Sequence, residues 1–324
     1  MYNDLITYTI THGTDFIIVK GSYSKVMDEI KLMPPEEVQK MFARLGELTL
    51  DTSDIRRKFL DCPYGEDARQ TLDIYLPNDG DGPFPIVFYI HGGGWALGCK
   101  DDNQLVPFIG GVGRGYAVVS LNYRLIPHVR YPDNLFDIKA ALRWIAQNAE
   151  TYLLDPSRAA LCGSSAGGHL AMMTAFTQGQ AAFSDVPDTP TCSVRCVVNQ
   201  FGPTDFRKTH THYDESGYTR ARHPDEPHVA DGLLGASIKV IPNLLRFANP
   251  IDNVHPNIPP VLTQHGRYDP VVPYQQAVEL CEKITSVGAT AELDLSEEFL
   301  HADPGYAGDE SVERIFGFID RYLK

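Results

Sequence analysis

The feature that most constrains the fold is a five-residue turn between an apolar strand and an apolar helix. The run Ala159 to Cys162 is short and apolar, and helix-forming apolar residues resume from Leu170 to Met173. Between them, Gly163-Ser164-Ser165-Ala166-Gly167 places a glycine two residues on either side of Ser165. A strand that turns directly into a helix strains the central residue and leaves little room for side chains beside it. The pattern therefore predicts a Ser165 hydroxyl exposed at a helix N-terminus. Ser164 lacks such neighbours.

Composition and charge exclude several classes of function. The chain has 324 residues, 43% of them hydrophobic, and a formal net charge of -14. Nucleic acids and anionic membrane surfaces select basic proteins, so neither is expected as a partner. The strongest apolar run, Phe84 to Ile90, is far shorter than the roughly 20 residues that span a bilayer. No signal peptide is visible after Met1, which predicts a cytoplasmic protein without membrane insertion.

The six cysteines do not form a pattern typical of a disulfide scaffold or a metal site. In a chain of this length without an export signal we interpret them as reduced thiols. The pair Cys192 and Cys196 has no second pair near it, and Cys196 opens an apolar run. Both are predicted to be core thiols.

Strands and helices alternate from Ile55 onward, which predicts a mainly parallel, twisted sheet flanked by helices. Continuously apolar runs, typical of strands covered on both faces, occupy 86–90 and 117–121. Further strands are predicted at 159–162, 196–201, 261–265 and 291–295. Leu72, Ile74 and Leu76 alternate with polar residues, which predicts a half-exposed antiparallel strand.

Two segments depart from this alternation. Residues 1–53 contain a predicted hairpin around 12–15 and a helix beginning at Pro34-Pro35, and we interpret them as an arm or lid on the catalytic domain, 54–324. The segment 205–250 is polar and aromatic and contains four histidines. It is predicted to be a cap insertion. The hairpin could equally form a homodimer contact.

A glycine-rich loop follows the strand 86–90. In His91-Gly92-Gly93-Gly94-Trp95, three glycines allow the backbone to approach a ligand and to direct N–H groups at it. Such an arrangement can hold an oxyanion. A phosphate-binding loop would need Gly-Lys-Ser or Gly-x-Gly-x-x-Gly, and neither is present. His91 is predicted to be structural.

Together with Asn122-Tyr123-Arg124-Leu125, the glycine-rich loop and the serine turn resemble the α/β-hydrolase fold, and most nearly the hormone-sensitive-lipase-like carboxylesterases. The resemblance covers about residues 55–324. It implies a triad in the order serine, acid, histidine. Asp269, in a segment resembling the family's Asp-Pro segment, would be the acid, and His301, after the last predicted strand, would be the base. His169 and His265 do not follow that strand and are interpreted as structural.

In this reading His301 takes the proton of Ser165, and Asp269 orients His301. The N–H groups of Gly93, Gly94 and Ala166 would form the oxyanion hole. The sequence thus predicts a serine hydrolase that cleaves carboxylic esters through an acyl-enzyme, with a small-molecule ester as its partner and no cofactor or metal. The resemblance implies short-to-medium acyl or aryl esters.

Three alternatives stay open at this level. A feruloyl or acetyl-xylan esterase and an arylformamidase-type amidase would use the same groups. A non-catalytic binding protein of the hydrolase fold is a third, although such proteins typically lack the serine or the histidine. The histidines at 210, 212, 223 and 228 could ligate a metal, but their spacing with a carboxylate or thiol is not that of a known site. They are interpreted as pocket residues.

Overall fold

The computed structural model describes residues 31–183 and 189–324, and the backbone of residues 7–12 and 15–20. Near the N-terminus, β1 (Thr7–His12) pairs antiparallel with β2 (Asp15–Lys20). The predicted hairpin strands are thereby confirmed. Residues 13 and 14 of its turn lie outside the described residues.

An eight-stranded sheet forms the centre of the described chain. Its strands are β3 (Arg57–Pro63), β4 (Thr71–Leu76), β5 (Phe84–Ile90), β6 (Ala117–Leu121), β7 (Leu154–Ser164), β8 (Val194–Gln200), β9 (Val261–Gly266) and β10 (Ala291–Ser296). Their spatial order is β10-β9-β8-β7-β5-β6-β4-β3. The six strands from β10 to β6 run parallel, and β4 and β3 extend the sheet antiparallel. The predicted mainly parallel sheet is confirmed.

Helices cover both faces of this sheet. The α-helices of the described residues are α1 (Pro35–Ala43), α2 (Val106–Ile109), α3 (Asp133–Asn148), α4 (Ala166–Phe176), α5 (Thr209–Ser216), α6 (Val229–Leu234), α7 (Gln275–Ser286) and α8 (Asp309–Leu323). Leu142 of α3 and Leu170 of α4 belong to the core cluster on one face, and Phe316 of α8 belongs to the cluster on the other. All seven residues of β5 are buried between them. The continuous apolar character of β5 follows from this double coverage.

The prediction of a half-exposed strand at residues 71–76 is wrong in one respect. The strand β4 is antiparallel to both of its neighbours, as predicted, but it is buried on both faces. Its second face carries Asp73 and Tyr75, and Lys100 covers Asp73 with Nζ 2.9 Å from Oδ2. The alternation with polar residues therefore does not indicate a solvent-exposed face here, because the buried Lys100 ammonium group compensates the charge of the Asp73 carboxylate.

Candidate active site

The turn at Ser165 joins β7 to α4 in a strained conformation. Ser165 has φ 53° and ψ −119°, in the region that disfavours residues with a Cβ. A Cβ on Gly163 would lie 2.4 Å from the Gly167 carbonyl group, and one on Gly167 would lie 2.0 Å from the Ile90 carbonyl oxygen. The two glycines are therefore needed for the helix to cross the strands this closely. The strain at Ser165 is held by its own N–H, which donates to the Gln200 carbonyl at 2.8 Å.

The structure brings Ser165, His301 and Asp269 together, although Ser165 is 136 residues and Asp269 is 32 residues from His301 along the chain. Ser165 Oγ lies 3.0 Å from His301 Nε2, and His301 Nδ1 lies 2.7 Å from Asp269 Oδ2. Ser165 directly follows β7, Asp269 lies three residues beyond β9, and His301 lies in the loop after β10. The carboxyl ends of parallel strands meet at one edge of the sheet, which explains why these distant residues converge.

Asp269 is held as an ionised acceptor. The N–H groups of Val271 and Val272 donate to its Oδ1 at 2.8 and 2.9 Å. Burial opposes ionisation, but the charge interaction with His301 and the hydrogen bonds from His265 and His301 outweigh it, so the pKa of Asp269 lies well below its ordinary value. The carboxylate is thus fixed to accept from His301 Nδ1–H.

His265 borders the site more closely than sequence reasoning indicated. Its buried ring has Nε2 3.4 Å from Asp269 Oδ2 and 2.9 Å from the Val272 carbonyl oxygen, to which it donates. The imidazole thereby ties the carboxylate to the loop that follows it. A histidine four residues before the acid carries no sequence signal for this role, because its direction depends on the turn after β9.

The N-terminal segment packs against the loop that bears His301. Phe42 at the end of α1 lies edge-on to the His301 ring with centroids 6.1 Å apart, and Phe201 does so at 4.8 Å. Arg44 Nη1 lies 2.5 Å from Asp303 Oδ2. Two rings and an ion pair therefore restrict how the imidazole can move.

The glycine-rich loop passes directly over the serine. A Cβ on Gly92 would lie 2.9 Å from the Ser164 carbonyl oxygen and 3.3 Å from Ser165 Cβ, so a larger residue there would displace the loop or the turn. Gly93 and Gly94 have φ 108° and 59°, a region that favours glycine. Within the described chain their N–H groups donate to no acceptor, and Ala166 N–H belongs to the first turn of α4.

His91 anchors this loop. Its Nδ1–H donates to the Gly92 carbonyl at 2.7 Å, Arg69 donates to its Nε2 at 3.3 Å, and its ring stacks on Tyr123 with centroids 4.4 Å apart. Burial lowers the pKa of His91 to about 4, so the ring is neutral at pH 7. The fully paired ring agrees with the predicted structural role.

His169 has a comparable position behind the serine. Its Nε2–H donates to the Ala248 carbonyl at 2.7 Å, and its ring packs against Trp95 and Phe206. Burial lowers the pKa of His169 to about 4. The ring joins α4 to the segment 205–250, which agrees with a structural role.

The segment 205–250 borders the catalytic groups at two points. Tyr213 Oη–H of α5 donates to the Asp269 carbonyl at 3.0 Å. Val229 of α6 comes within 3.9 Å of the position that a Cβ on Gly94 would take. The segment therefore contacts both the glycine-rich loop and the loop after β9 that carries Asp269, which we call the acid loop.

Other sequence predictions concern thiols, metals and membranes. All six cysteines are free thiols, with Cys192 and Cys196 buried in the core as predicted. Across residues 31–183 and 189–324, no group of three or more His, Cys, Asp or Glu side chains is arranged to hold a metal ion. Within the same ranges no helix has the length and apolar character needed to cross a membrane.

The chain resembles known proteins over most of its described length. The model of the BD-FAE family matches residues 72–284. Esterase LipC of Mycobacterium tuberculosis is 31% identical over 234 residues, which cover 72% of this chain and 55% of LipC. The chain thus spans about half the length of the curated relatives it matches.

Two solved structures share the architecture. A truncated carbohydrate esterase from gut microbiota superposes with a TM-score of 0.73 at 24% identity, covering 84% of this chain and 98% of its own. A bifunctional GH43-CE protein of Bacteroides eggerthii gives a TM-score of 0.73 at 27% identity, covering 83% of this chain and 35% of its own. The predicted α/β-hydrolase fold is confirmed. The BD-FAE family model matches about two thirds of this chain, which shows that the chain belongs to the BD-FAE family.

Proposed function

We propose that this protein is a carboxylic ester hydrolase that uses Ser165, His301 and Asp269 as a catalytic triad. One observation carries the proposal: hydrogen bonds of 3.0 and 2.7 Å link hydroxyl, imidazole and carboxylate in an unbroken line. A serine hydroxyl is a weak nucleophile unless an oriented base takes its proton. The curated relative LipC, whose name is that of an esterase, supports the same reaction class.

Acylation follows from this geometry. Ser165 Oγ attacks the ester carbonyl carbon while its proton moves to His301 Nε2, and the carbonyl π electrons move to oxygen. The carbonyl then re-forms as the bond to the alcohol oxygen breaks, and His301 Nε2–H protonates that oxygen. Asp269 stabilises the transient imidazolium without taking its proton. An acyl-Ser165 ester and a free alcohol result.

The oxyanion of each tetrahedral intermediate needs fixed donors. We assign this role to the N–H groups of Gly93, Gly94 and Ala166, which belong to the loop over the serine and to the first turn of α4. Losing a single donor of this kind typically costs about 10²–10³ in rate. Backbone N–H groups are suited to this role because the folded loop fixes their direction, whereas a side-chain donor can change its rotamer.

Deacylation repeats the sequence with water. Water enters in place of the alcohol, and its oxygen attacks the acyl carbon while His301 Nε2 takes one of its protons. The tetrahedral intermediate then collapses: the bond between the acyl carbon and Ser165 Oγ breaks, His301 returns the proton to Oγ, and the carboxylic acid leaves. Side chains, backbone amides and water supply every step.

We further propose that residues 1–53 and 205–250 form the lid that selects the ester. The contacts of Tyr213 and Val229 with the acid and glycine-rich loops, and of Phe42 with His301, support this division. The proposed substrates are small esters with short-to-medium acyl chains or aryl esters. Esters of plant carbohydrates are a second candidate, supported by the likeness to the GH43-CE protein. Rates on nitrophenyl acetate, methyl ferulate and N-formylkynurenine separate these from an amidase.

The test compares the two adjacent serines. Ser165→Ala is expected to lower kcat for nitrophenyl acetate by several orders of magnitude, leaving only the contribution of the oxyanion donors and binding. Ser164→Ala is the matched control, since Ser164 Oγ–H donates to buried Gln200 Oε1 at 2.9 Å and faces away from His301. A fluorophosphonate probe should label Ser165. Unchanged turnover in Ser165→Ala, or labelling at another residue, would overturn the mechanism.

A further inference from the structure

A small cavity lies between the segment 205–250 and the loop after β9 that bears Asp269. Its volume is about 40 Å³. Because one water needs roughly 10–15 Å³ of such space, the cavity holds about three water-sized atoms. Its walls include His210, His228 and Val229 from that segment and Pro270 and Val271 from the acid loop. The cavity has the size of one substituent of a substrate.

The walls of this cavity connect it to the proposed site on two sides. Val229 comes within 3.9 Å of the position that a Cβ on Gly94 would take in the glycine-rich loop. Val271 N–H donates to Asp269 Oδ1 at 2.8 Å. The cavity therefore shares wall residues with the immediate neighbours of the glycine-rich loop and of Asp269.

His228 presents a hydrogen-bond donor there. Its Nδ1 accepts the Ala230 N–H at 3.1 Å and so caps α6, which leaves the proton of the neutral ring on Nε2. Burial, followed by the charge of His210, lowers the pKa of His228 to about 4, so the ring stays neutral at pH 7. Its Nε2–H is buried and has no partner among the described residues.

His210 presents a second unpartnered nitrogen. Its ring stands edge-on to that of His228 at 89°, with centroids 5.7 Å apart. Its Nδ1 is buried and also has no partner within the described ranges. Burial, then the charge of Arg220, lowers the pKa of His210. A buried polar atom without a partner costs free energy, and both of these atoms belong to residues that line one cavity, where a polar ligand would pair with them.

The charges around the cavity are compensated. Arg222 and Glu226 pair with each other at 3.5 Å, and both are about half exposed. His223 Nδ1 accepts the Asp225 N–H at 3.2 Å. Asp231 binds the His228 backbone N–H at 3.2 Å. The buried Arg220 near His210 pairs with Asp214. A pair of neutral imidazoles suits a neutral group that both donates and accepts.

We propose that His210 and His228 bind a hydroxyl group of the ester substrate. The hydroxyl oxygen accepts from His228 Nε2–H, and the hydroxyl proton is donated to His210 Nδ1. The proposal rests on the ester hydrolase function above and narrows it to hydroxylated esters. The hydroxyl can belong to the alcohol or to the acyl part, and both give the same pair of hydrogen bonds.

The test uses substrate pairs that differ only in hydroxyl groups. Mono-O-acetyl-inositol and cyclohexyl acetate probe the alcohol part, and nitrophenyl 3-hydroxybutyrate and nitrophenyl butyrate probe the acyl part. The measured quantity is the ratio of kcat/KM within each pair. In the unaltered protein we expect roughly a tenfold or larger preference for the hydroxylated member of at least one pair, because its absence leaves two buried nitrogens unpaired.

Four variants separate hydrogen bonding from structure. His228→Asn keeps an acceptor for the cap of α6 but removes the distal N–H, and it should abolish the preference. His228→Gln loses that cap but restores a distal N–H, and it should retain much of the preference. At His210 the unpartnered atom is Nδ1, the nitrogen nearer to the backbone. His210→Asn keeps an acceptor near that position and should retain the preference, whereas His210→Leu removes it and should abolish the preference.

The control is His128→Asn, a change at an exposed histidine outside the cavity, which should alter neither turnover nor the ratio. Equal ratios in the unaltered protein and in His228→Asn, or no preference in either pair, would overturn the hydroxyl site while leaving the ester hydrolase intact. Hydrolysis of nitrophenyl acetate that survives Ser165→Ala would instead refute the proposed function.

Discussion

Gly167→Ala is expected to destabilise the fold strongly, because α4 crosses β5 at this residue without room for a methyl group. The added Cβ would lie 2.0 Å from the Ile90 carbonyl oxygen and 2.6 Å from the His91 carbonyl oxygen. Both are backbone atoms of a buried strand end and cannot rotate aside. The helix would have to move by about 1 Å relative to the sheet for an ordinary contact distance.

The magnitude follows from the rigidity of this region. Overpacking in a core usually costs about 1–3 kcal/mol, and a clash with two backbone oxygens belongs to the upper tail, about 4 kcal/mol or more. Folding free energies are about 5–15 kcal/mol, so between about a quarter and most of the stability would be lost. We expect the Tm to fall by about 10 °C or more. Turnover should fall as well, since the same shift displaces Ser165.

Gly317→Ala is the matched control. Gly317 also lies inside a helix, α8, but it is exposed and a Cβ there would meet nothing within 4 Å. The same substitution should stabilise the protein by up to about 1 kcal/mol through helix propensity. Thermal unfolding of both variants measures the expected decrease in Tm for Gly167→Ala and the expected increase for Gly317→Ala. A Gly167→Ala protein that is active and unfolds within 2 °C of the unaltered protein (roughly 1 kcal/mol) would refute the close crossing.

Two further predictions concern ionisation. His169 has a pKa of about 4 in the fold against about 6.5 unfolded, so its contribution is complete above pH 6.5 and is lost as the pH falls towards 4. Between pH 7 and 5 it should account for about 2 kcal/mol of the loss in unfolding free energy. His169→Gln should flatten that slope in urea titrations, and an unchanged slope would show that the ring is protonated in the fold. Asp269→Asn should lower kcat for nitrophenyl acetate by about 10⁴ with little change in KM, since the amide favours the wrong tautomer of His301. A fall below tenfold would remove Asp269 from the triad.

Much of the fold and of the candidate site could be predicted from local sequence. Gly163 and Gly167 flank Ser165 because a strand-to-helix turn has its own steric requirement, which acts within five residues. Continuous apolar runs predicted β5 and β6, since strands covered on both faces need no polar residues. For Asp269 and His301 the resemblance supplied the order along the chain, and the fold brings them within hydrogen-bond distance of each other and of Ser165.

Other features depended on contacts between residues far apart in the chain. The alternating pattern of β4 predicted an exposed face, but Lys100 reaches Asp73 from 27 residues away and buries it. The position of His265 against Asp269 depends on the turn after β9. His210 and His228 line one cavity because the start of α5 and the cap of α6 meet beside the loop after β9.

The sequence by itself determined the order of strands and helices and the turn that exposes Ser165, because these follow from steric and hydrophobic rules that act over a few residues. Only the tertiary structure decided which side chains meet at the carboxyl edge of the sheet, and which face of β4 is covered. It also decided where the segment 205–250 leaves a cavity lined by His210 and His228. Such contacts depend on the directions of loops, which the packing of the whole chain fixes and no local pattern encodes.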